Sequence, residues 1–238
     1  LRPLPAVLVP MFFCLSGFLV SGSLARTAHT REFLLLRAIR IVPALAVEIV
    51  LSALLLGTLF TTVPLSVYFT SPEFYSYFLN IFGIVHYYLP GLFLDNPTPG
   101  IVNGNLWTLP FELYCYAALA VLVLFRVTRY PGVFALLVLT MLVINHFPTM
   151  AAAEGLHVYR PTGRTLVLSF LAGVVFFLNQ HRIVMHRTLF LIAAALTYVL
   201  LLNAGTQILA VLPMTYATVY LGLANPEKRG FLFSGDYS

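Results

Sequence analysis

Charged residues are scarce in this sequence. They make up 9% of its 238 residues, whereas 60% are hydrophobic and the mean hydropathy is +0.93. A soluble domain carries about 25% charged residues, so this chain cannot cover a water-exposed surface. Apolar runs recur along its whole length and reach the roughly 20 residues that a membrane-spanning helix needs. The composition therefore excludes an ordinary soluble domain and indicates a multi-pass membrane protein.

Cysteine is rare as well. Cys14 and Cys115 are the two in the chain, and both lie inside apolar runs, as small buried side chains do. No group of Cys, His, Asp and Glu has the spacing of a metal site, so we expect no metal. The formal net charge of +5 does not indicate nucleic-acid binding, because the basic residues lie in short loops between apolar runs. In a membrane protein such loops mark the cytoplasmic side.

Seven apolar segments predict membrane-spanning helices and thus an all-α fold, a polytopic transmembrane helix bundle. An eighth segment, 74–94, is rich in aromatic residues but is interrupted by Asn80, His86 and Pro90. No internal repeat or linker divides the chain, so we expect a single domain over residues 1–238, truncated at both ends. The seven predicted spans are 6–24, 43–61, 106–125, 132–147, 165–180, 188–203 and 206–223.

The distribution of Arg and Lys indicates whether 74–94 crosses the membrane. If it does not, ten basic residues lie on the cytoplasmic side and three lie outside, namely Arg2, Arg160 and Arg164. If it does, six lie inside and seven outside. Basic loops stay on the cytoplasmic side. We therefore expect 74–94 to lie along the outer interface or to re-enter, with the loops 95–105 and 148–163 outside.

Arg37 and Arg40 are three residues apart and so share one face of a helix. Two neighbouring guanidinium groups suit a phosphate-bearing ligand, because Arg binds phosphate through paired hydrogen bonds. The alternative is an anchor that contacts lipid headgroups, since basic residues flank most membrane spans. Taken alone, the pattern favours the lipid anchor.

Glu112 is an acidic residue inside a predicted span. Thr108, Glu112 and Tyr116 follow one another at intervals of four and line one helix face. A carboxyl group within the membrane is energetically costly, which favours a functional role over a hydrogen-bonded contact between helices. Glu48 is a second such residue, and the sequence does not identify its partner. The Gly17/Ser21 pair has the spacing of small residues that let two helices pack closely.

In their order along the chain, these motifs resemble the acyltransferase-3 family of membrane O-acyltransferases. The resemblance spans almost the whole chain, with one departure at Pro110, where the family has a small polar residue. The matching residues are Phe12, Phe13, Ser16, Gly17, Phe18 and Leu19, then Arg37, Arg40, Ile41 and Pro43, then Leu106, Trp107, Thr108, Leu109, Glu112 and Tyr116, and finally Gly235, Asp236, Tyr237 and Ser238.

The resemblance implies a membrane enzyme that transfers an acyl group, usually acetyl from acetyl-CoA, to a hydroxyl of a carbohydrate or lipid-linked glycan. It implies that Arg37 and Arg40 bind the CoA phosphates on the cytoplasmic face. Trp107, Thr108 and Tyr116 would bind the acceptor, and Glu112 would support catalysis. The family's catalytic His lies on a helix before the first motif, and no His of this sequence takes its place. We therefore expect residues 1–238 alone to be inactive.

The expected location is a bacterial cytoplasmic membrane, with membrane lipid and the glycan acceptor as partners and no nucleic acid. A transporter or flippase is the main alternative, because it too would explain a buried Glu and a helix interrupted by Pro. No inverted repeat supports it, and the paired arginines lie at an inner loop. A purely structural membrane subunit would leave Glu48 and Glu112 unexplained.

Overall fold

The computed structural model describes residues 5–27, 29–152 and 161–223, and within these ranges it contains helices and no β-strand. Tyr88 and Ile101 form an isolated antiparallel bridge. The predicted all-α fold is confirmed. The α-helices are α1 (Pro5–Arg26), α2 (Thr30–Leu51), α3 (Gly57–Phe60), α4 (Leu65–Thr70), α5 (Pro72–Tyr77), α6 (Leu109–Leu124), α7 (Pro131–Ala152), α8 (Gly163–Leu178), α9 (Arg187–Leu201) and α10 (Val211–Leu223).

Helix length and composition confirm a multi-pass membrane protein. Among the described residues, three stretches are long and apolar enough to cross a membrane, namely Val7–Arg26, Thr30–Phe60 and Gly104–Leu124. The other four predicted spans correspond to shorter apolar stretches of 10–17 residues, which are Pro131–Phe147 within α7, and the helices α8, α9 and α10. Large apolar side chains such as Leu34, Ile39 and Leu59 are exposed on the second stretch, as expected for a surface that is solvated by lipid.

The second helix begins earlier than its predicted span, 43–61. α2, a π-helical segment (Ser52–Leu56) and α3 form one continuous helix of 31 residues from Thr30 to Phe60, and Pro43 lies inside it. Membrane helices tolerate Pro, because local adjustments can satisfy the carbonyl that it frees. At 1.5 Å per residue the helix is about 46 Å long, whereas the hydrocarbon core is about 30 Å thick. The basic first part of α2 can therefore extend past the hydrocarbon core.

The last predicted span, 206–223, begins later than expected. Residues Ala204–Thr206 form a 3-10 turn, and α10 starts at Val211. Asn203 Oδ1 accepts a hydrogen bond of 2.8 Å from the Gly205 amide, and Thr206 Oγ1 donates one of 2.7 Å to the Leu200 carbonyl. These side chains stabilise the turn in place of a further helical turn, a competition that Asn and Thr often win at helix ends.

Segment 74–94 does not form one long helix. It comprises most of α5, a 3-10 turn (Phe78–Phe82), and an irregular stretch that continues to Asn103. The buried Asn80 side chain organises the turn. Its Nδ2 donates hydrogen bonds to the Tyr77 and His86 carbonyls at 2.7 and 2.9 Å, and its Oδ1 accepts one from the His86 backbone N–H at 2.8 Å. The location of this segment at the membrane interface stays a prediction.

The described helices belong to two compact units, and the first comprises residues Leu1–Gly22 and Tyr130–Ser238. Within it α1 packs backbone to backbone against α8. A Cβ atom added to Gly17 would lie 2.0 Å from the Phe170 carbonyl oxygen, and one added to Gly173 would lie 2.1 Å from the Cys14 carbonyl oxygen. The predicted close packing at Gly17 is confirmed.

The second unit comprises residues Ser23–Arg129. Its core contains Tyr68, Phe74, Tyr77 and Leu92, which pack against residues of α2 and of the π-helical segment. The Tyr68 hydroxyl donates a hydrogen bond of 2.7 Å to the Ala53 carbonyl inside that segment. Both cysteines are free and buried, as predicted.

The single domain over residues 1–238 stays a prediction. Part of loop 148–163, with Arg160, lies outside the described residues, as do Arg2 and the motif Gly235–Ser238.

Candidate functional site

A cavity of about 350 Å³ lies between α2 and the segment that leads into α6. This size falls within the roughly 300–1,000 Å³ of typical small-molecule pockets. Its walls are mostly apolar, but two acidic side chains and three further polar residues lie among them, and none of the ten lining residues is basic. The lining residues are Ile41, Ala44, Leu45 and Glu48 from α2, and Asn103, Asn105, Leu106, Thr108, Leu109 and Glu112 from the second wall.

Glu48 is the acidic residue of the first wall, which α2 forms. Its Oε1 accepts hydrogen bonds from the Ser52 hydroxyl at 3.0 Å and from the Asn103 side-chain amide at 2.8 Å. Its Oε2 is buried and has no hydrogen-bond partner within the described structure. A buried oxygen without a partner is costly and therefore uncommon in native proteins. Glu48 thus lines the cavity and keeps one acceptor atom of its carboxyl group unused.

Asn103 joins the two walls of the cavity. Its Nδ2 donates to Glu48 on α2, while its Oδ1 accepts from the Asn105 amide at 2.9 Å. The second bond caps the 3-10 turn Gly104–Thr108, which leads directly into α6. Asn is a favoured capping residue because its short side chain reaches a free backbone N–H. One side chain therefore fixes both Glu48 and the start of the second wall.

The Tyr77 hydroxyl is a second buried polar group near Glu48. Burial raises the pKa of Tyr77 to about 12, an interaction with the Ser52 hydroxyl opposes this rise, and the negative charge of Glu48 acts more weakly in the same direction as burial. The phenol therefore keeps its proton at neutral pH.

Glu112 is the acidic residue of the second wall. It lies in the first turn of α6, where Pro110 occupies a position that does not need an N–H donor. The buried Tyr116 hydroxyl, one turn further along, donates a hydrogen bond to Glu112 Oε1. Thr108 also lines the cavity, and its hydroxyl donates to the Asn105 carbonyl at 3.1 Å. The predicted face of Thr108, Glu112 and Tyr116 is thus present, with the first two at the cavity.

Trp107 lies outside the lining of this cavity. It is half-buried, and its ring packs edge to face against Phe111 with 6.1 Å between the ring centroids. Its assignment to acceptor binding stays a prediction that this cavity does not support directly.

Arg37 and Arg40 of α2 have different environments. Arg37 is half-buried, with its Nη2 donating to the Ser23 hydroxyl at 2.8 Å and its guanidinium 5.6 Å from the centre of the Phe33 ring. Its Nε is buried without a hydrogen-bond partner in the described structure. Arg40 is exposed. This arrangement fits an anionic ligand, since Arg37 is held in place with a free donor and Arg40 can move to meet a phosphate.

The arginines and the cavity occupy separate parts of α2. Arg40 and Glu48 are eight residues apart, which is about 12 Å along a helix. Neither arginine lines the cavity. The acidic lining and the basic start of α2 therefore suit ligands, or parts of ligands, of different charge.

The acyltransferase domain model of the acyltransferase-3 family matches residues 6–225. The chain belongs to this family. A protein of Shigella phage Sf6 named O-acetyl transferase is 32% identical over 119 residues, which are 46% of this chain and 32% of the phage protein. Nodulation protein 10 of Rhizobium leguminosarum bv. viciae is 33% identical over 117 residues, which are 48% of the chain and 32% of that protein.

These alignments cover about a third of the length of each curated relative. No solved structure matches this chain. The family match confirms the resemblance seen in the sequence motifs. The donor and the acceptor are not identified by the match.

The sequence motifs did not reveal the pairing of Glu48 with Asn103. The sequence indicated only an irregular loop over 95–105, dense in Pro, Gly and Asn. Asn103 two residues before Asn105 is a capping pattern, and this is the one local signal that could have placed it at the start of a helical turn. Its second bond, to a residue 55 positions earlier, has no local signal.

Proposed function

We propose that this protein transfers an acetyl or related acyl group from acyl-CoA to a hydroxyl group of a carbohydrate or lipid-linked glycan. The acceptor oxygen forms an ester bond with the acyl carbon, and the carbon–sulfur bond of the thioester breaks. The proton that the hydroxyl loses ends on the sulfur of the released CoA thiol. A bacterial cytoplasmic membrane, with CoA on its inner face, is the location that fits this reaction.

Arg37 and Arg40 bind the phosphates of CoA in this proposal. The support is the fixed Arg37 guanidinium with its unpartnered Nε, next to the exposed Arg40. Acyl-CoA supplies an activated thioester, and the two arginines orient it through its charged end.

The cavity holds the acceptor. Its volume, its two acidic side chains and its lack of basic lining suit a neutral, hydroxyl-rich group better than a phosphate. Glu112, held by Tyr116, supports catalysis by binding or polarising the reacting hydroxyl, and Thr108 contributes to the wall. The cavity between two motifs of an acyltransferase family member is the observation that carries the proposal.

Labelled acyl transfer tests the function. Membranes that contain the full-length protein are incubated with radiolabelled acetyl-CoA and a cell-envelope glycan extract, and label in the glycan is measured. Arg37→Ala and Arg40→Ala should each raise the KM for acetyl-CoA by about tenfold or more, because hydrogen bonds to charged groups contribute about 1.5–3 kcal/mol. Arg129→Ala, an exposed arginine in a separate turn, is the matched control and should leave this KM unchanged.

Glu112→Gln and Tyr116→Phe test the acceptor side in the same assay. We expect a lower kcat with both, and a larger loss for Glu112→Gln because Tyr116 acts through Glu112. Normal transfer by both arginine variants would contradict the CoA assignment. Absence of label in every glycan fraction with the unaltered protein would contradict the enzymatic proposal and favour transport.

A further inference from the structure

We propose that Glu48, positioned by Asn103, binds a second hydroxyl group of the acceptor and thereby determines which sugar position reaches the acyl donor. This inference rests on the proposed function. The reacting hydroxyl lies at Glu112, and Glu48 recognises a neighbouring hydroxyl of the same sugar ring.

The unused oxygen of Glu48 is the first step of the argument. A carboxyl group accepts several hydrogen bonds through its two oxygens, and Oε1 of Glu48 already has two donors, Ser52 and Asn103. Oε2 has none, although it is buried. A buried polar atom that stays unsatisfied destabilises a protein. A hydroxyl donor that reaches Oε2 from the adjoining cavity removes this penalty.

The position of Glu48 is the second step. Glu48 lines the cavity from α2, and Glu112 lines it from α6, so the two acidic side chains border one space. A sugar ring presents hydroxyl groups along its edge and apolar C–H groups on its faces. The lining can match both kinds of group, because Ile41, Leu45 and Leu109 offer apolar contact and the acidic side chains accept hydrogen bonds from hydroxyls.

The fixation of Glu48 is the third step. A specificity-determining group has to be held in one orientation before the ligand arrives. Ser52 lies one helical turn beyond Glu48 on the same helix, and Asn103 reaches it from the other wall, so the carboxyl group is held from two sides. Asn103 is in turn fixed by the Asn105 amide. Asn103 is therefore a positioning residue, and Glu48 is the residue that contacts the acceptor.

The transfer assay with the full-length protein tests this inference by separating the two substrates. Glu48→Gln keeps the size of the side chain but directs an N–H donor where an oxygen acceptor was. We expect the KM for the glycan extract, expressed as hexose equivalents, to rise by about tenfold or more. The KM for acetyl-CoA and the thermal unfolding midpoint should stay the same. Glu73→Gln, an exposed carboxyl group on α5, is the matched control.

Asn103→Ala is the second variant, and it keeps the inference testable if Glu48→Gln does not accumulate in membranes. It should raise the KM for the glycan in the same direction, by a smaller factor, since it frees Glu48 without removing it. The free-energy change calculated from the KM for the glycan should be smaller in the double variant than the sum of the two single changes, because both substitutions act on one contact.

An unchanged KM for the glycan in Glu48→Gln and Asn103→Ala, while the unaltered protein transfers label, would overturn this inference and leave the proposed function standing. An equal rise in the KM for both substrates would also overturn it, because that result indicates a purely structural role. Absence of transfer by the unaltered protein would overturn the proposed function and this inference together.

Discussion

At the scale of single residues, glycine determines how closely two helices approach in the first unit. Gly17 on α1 faces the Phe170 carbonyl of α8, and Gly173 on α8 faces the Cys14 carbonyl of α1. Backbone contact of this kind increases van der Waals packing between helices, which matters in lipid because the hydrophobic effect does not drive helices together there. Any side chain larger than hydrogen at either position would force the helices apart.

Gly17→Ala should destabilise the protein. The new methyl group would lie 2.0 Å from a backbone oxygen, which cannot move without moving α8, and overpacking of this kind costs about 1–3 kcal/mol. We expect a lower thermal unfolding midpoint for the full-length protein in detergent. Gly132→Ala is the control, because nothing lies within 4 Å of its added methyl group. Equal unfolding midpoints for the two variants would show that α1 and α8 do not meet at Gly17.

The sequence predicted which residues belong to the candidate site better than it predicted which of them contact one another. Thr108, Glu112 and Tyr116 follow a helical period, so their shared face could be predicted from spacing alone. Glu48 could be identified as a buried acidic residue, but its bond to Asn103 depends on how an irregular loop folds back onto α2. Such a contact depends on tertiary structure, which no local periodicity encodes.

At the scale of elements, the helix from Thr30 to Phe60 shows what local sequence leaves open. Pro43 is a frequent sign of a helix start, and the predicted span began there. The structure instead continues the helix through Pro43, so that the basic segment and the apolar segment form one rod. No loop separates the two segments, so the change in composition falls within a single helix.

The π-helical segment is the second feature of this helix. It follows Glu48 and begins at Ser52, the residue that holds Glu48. π-helical turns widen a helix by one residue and are frequent at functional sites. Here the Tyr68 hydroxyl donates to the Ala53 carbonyl in the widened turn, and Gly57 leaves room for the Tyr68 ring, since an added Cβ would lie 1.8 Å from that hydroxyl.

Tyr68→Phe should therefore loosen the widened turn. It removes the donor to Ala53 and leaves a buried carbonyl without this partner, at a cost of about 1–3 kcal/mol. We expect a lower unfolding midpoint and, because Ser52 begins the same segment, a higher KM for the glycan acceptor. Tyr75→Phe is the matched control, since Tyr75 on α5 is 62% exposed. If both variants unfold at the same temperature, the hydroxyl of Tyr68 does not stabilise this turn.

At the scale of the whole molecule, the distribution of charge relates the two halves of the proposed reaction to the two sides of the membrane. Arg37 and Arg40 lie in the first part of α2, and Glu48 lies about 12 Å beyond Arg40 along the same helix. If the basic loops face the cytoplasm, then CoA reaches Arg37 and Arg40 from the side where it is made. The cavity then lies nearer the outer face, where an exported glycan would be modified.

The charge distribution also predicts the direction in which α6 crosses the membrane. The loop before it, 95–105, carries no basic residue, whereas Arg126 and Arg129 follow it. Thr98 is an exposed residue of the first loop, and Thr128 lies in the second. In intact cells, a membrane-impermeant maleimide should label Thr98→Cys but not Thr128→Cys, whereas permeabilised cells should show both labelled.

Cys14 and Cys115 are buried and should contribute little background in that experiment; Cys14→Ala and Cys115→Ala in the parent protein remove it altogether. Labelling of Thr128→Cys alone in intact cells would reverse the orientation and place the arginines of α2 outside, away from cytoplasmic CoA. Labelling of both positions would mean that α6 does not cross. The reversed orientation would separate the donor from the arginines, because a charged thioester cannot pass through hydrocarbon to reach them, and the assignment of CoA to Arg37 and Arg40 would then fail on topology alone.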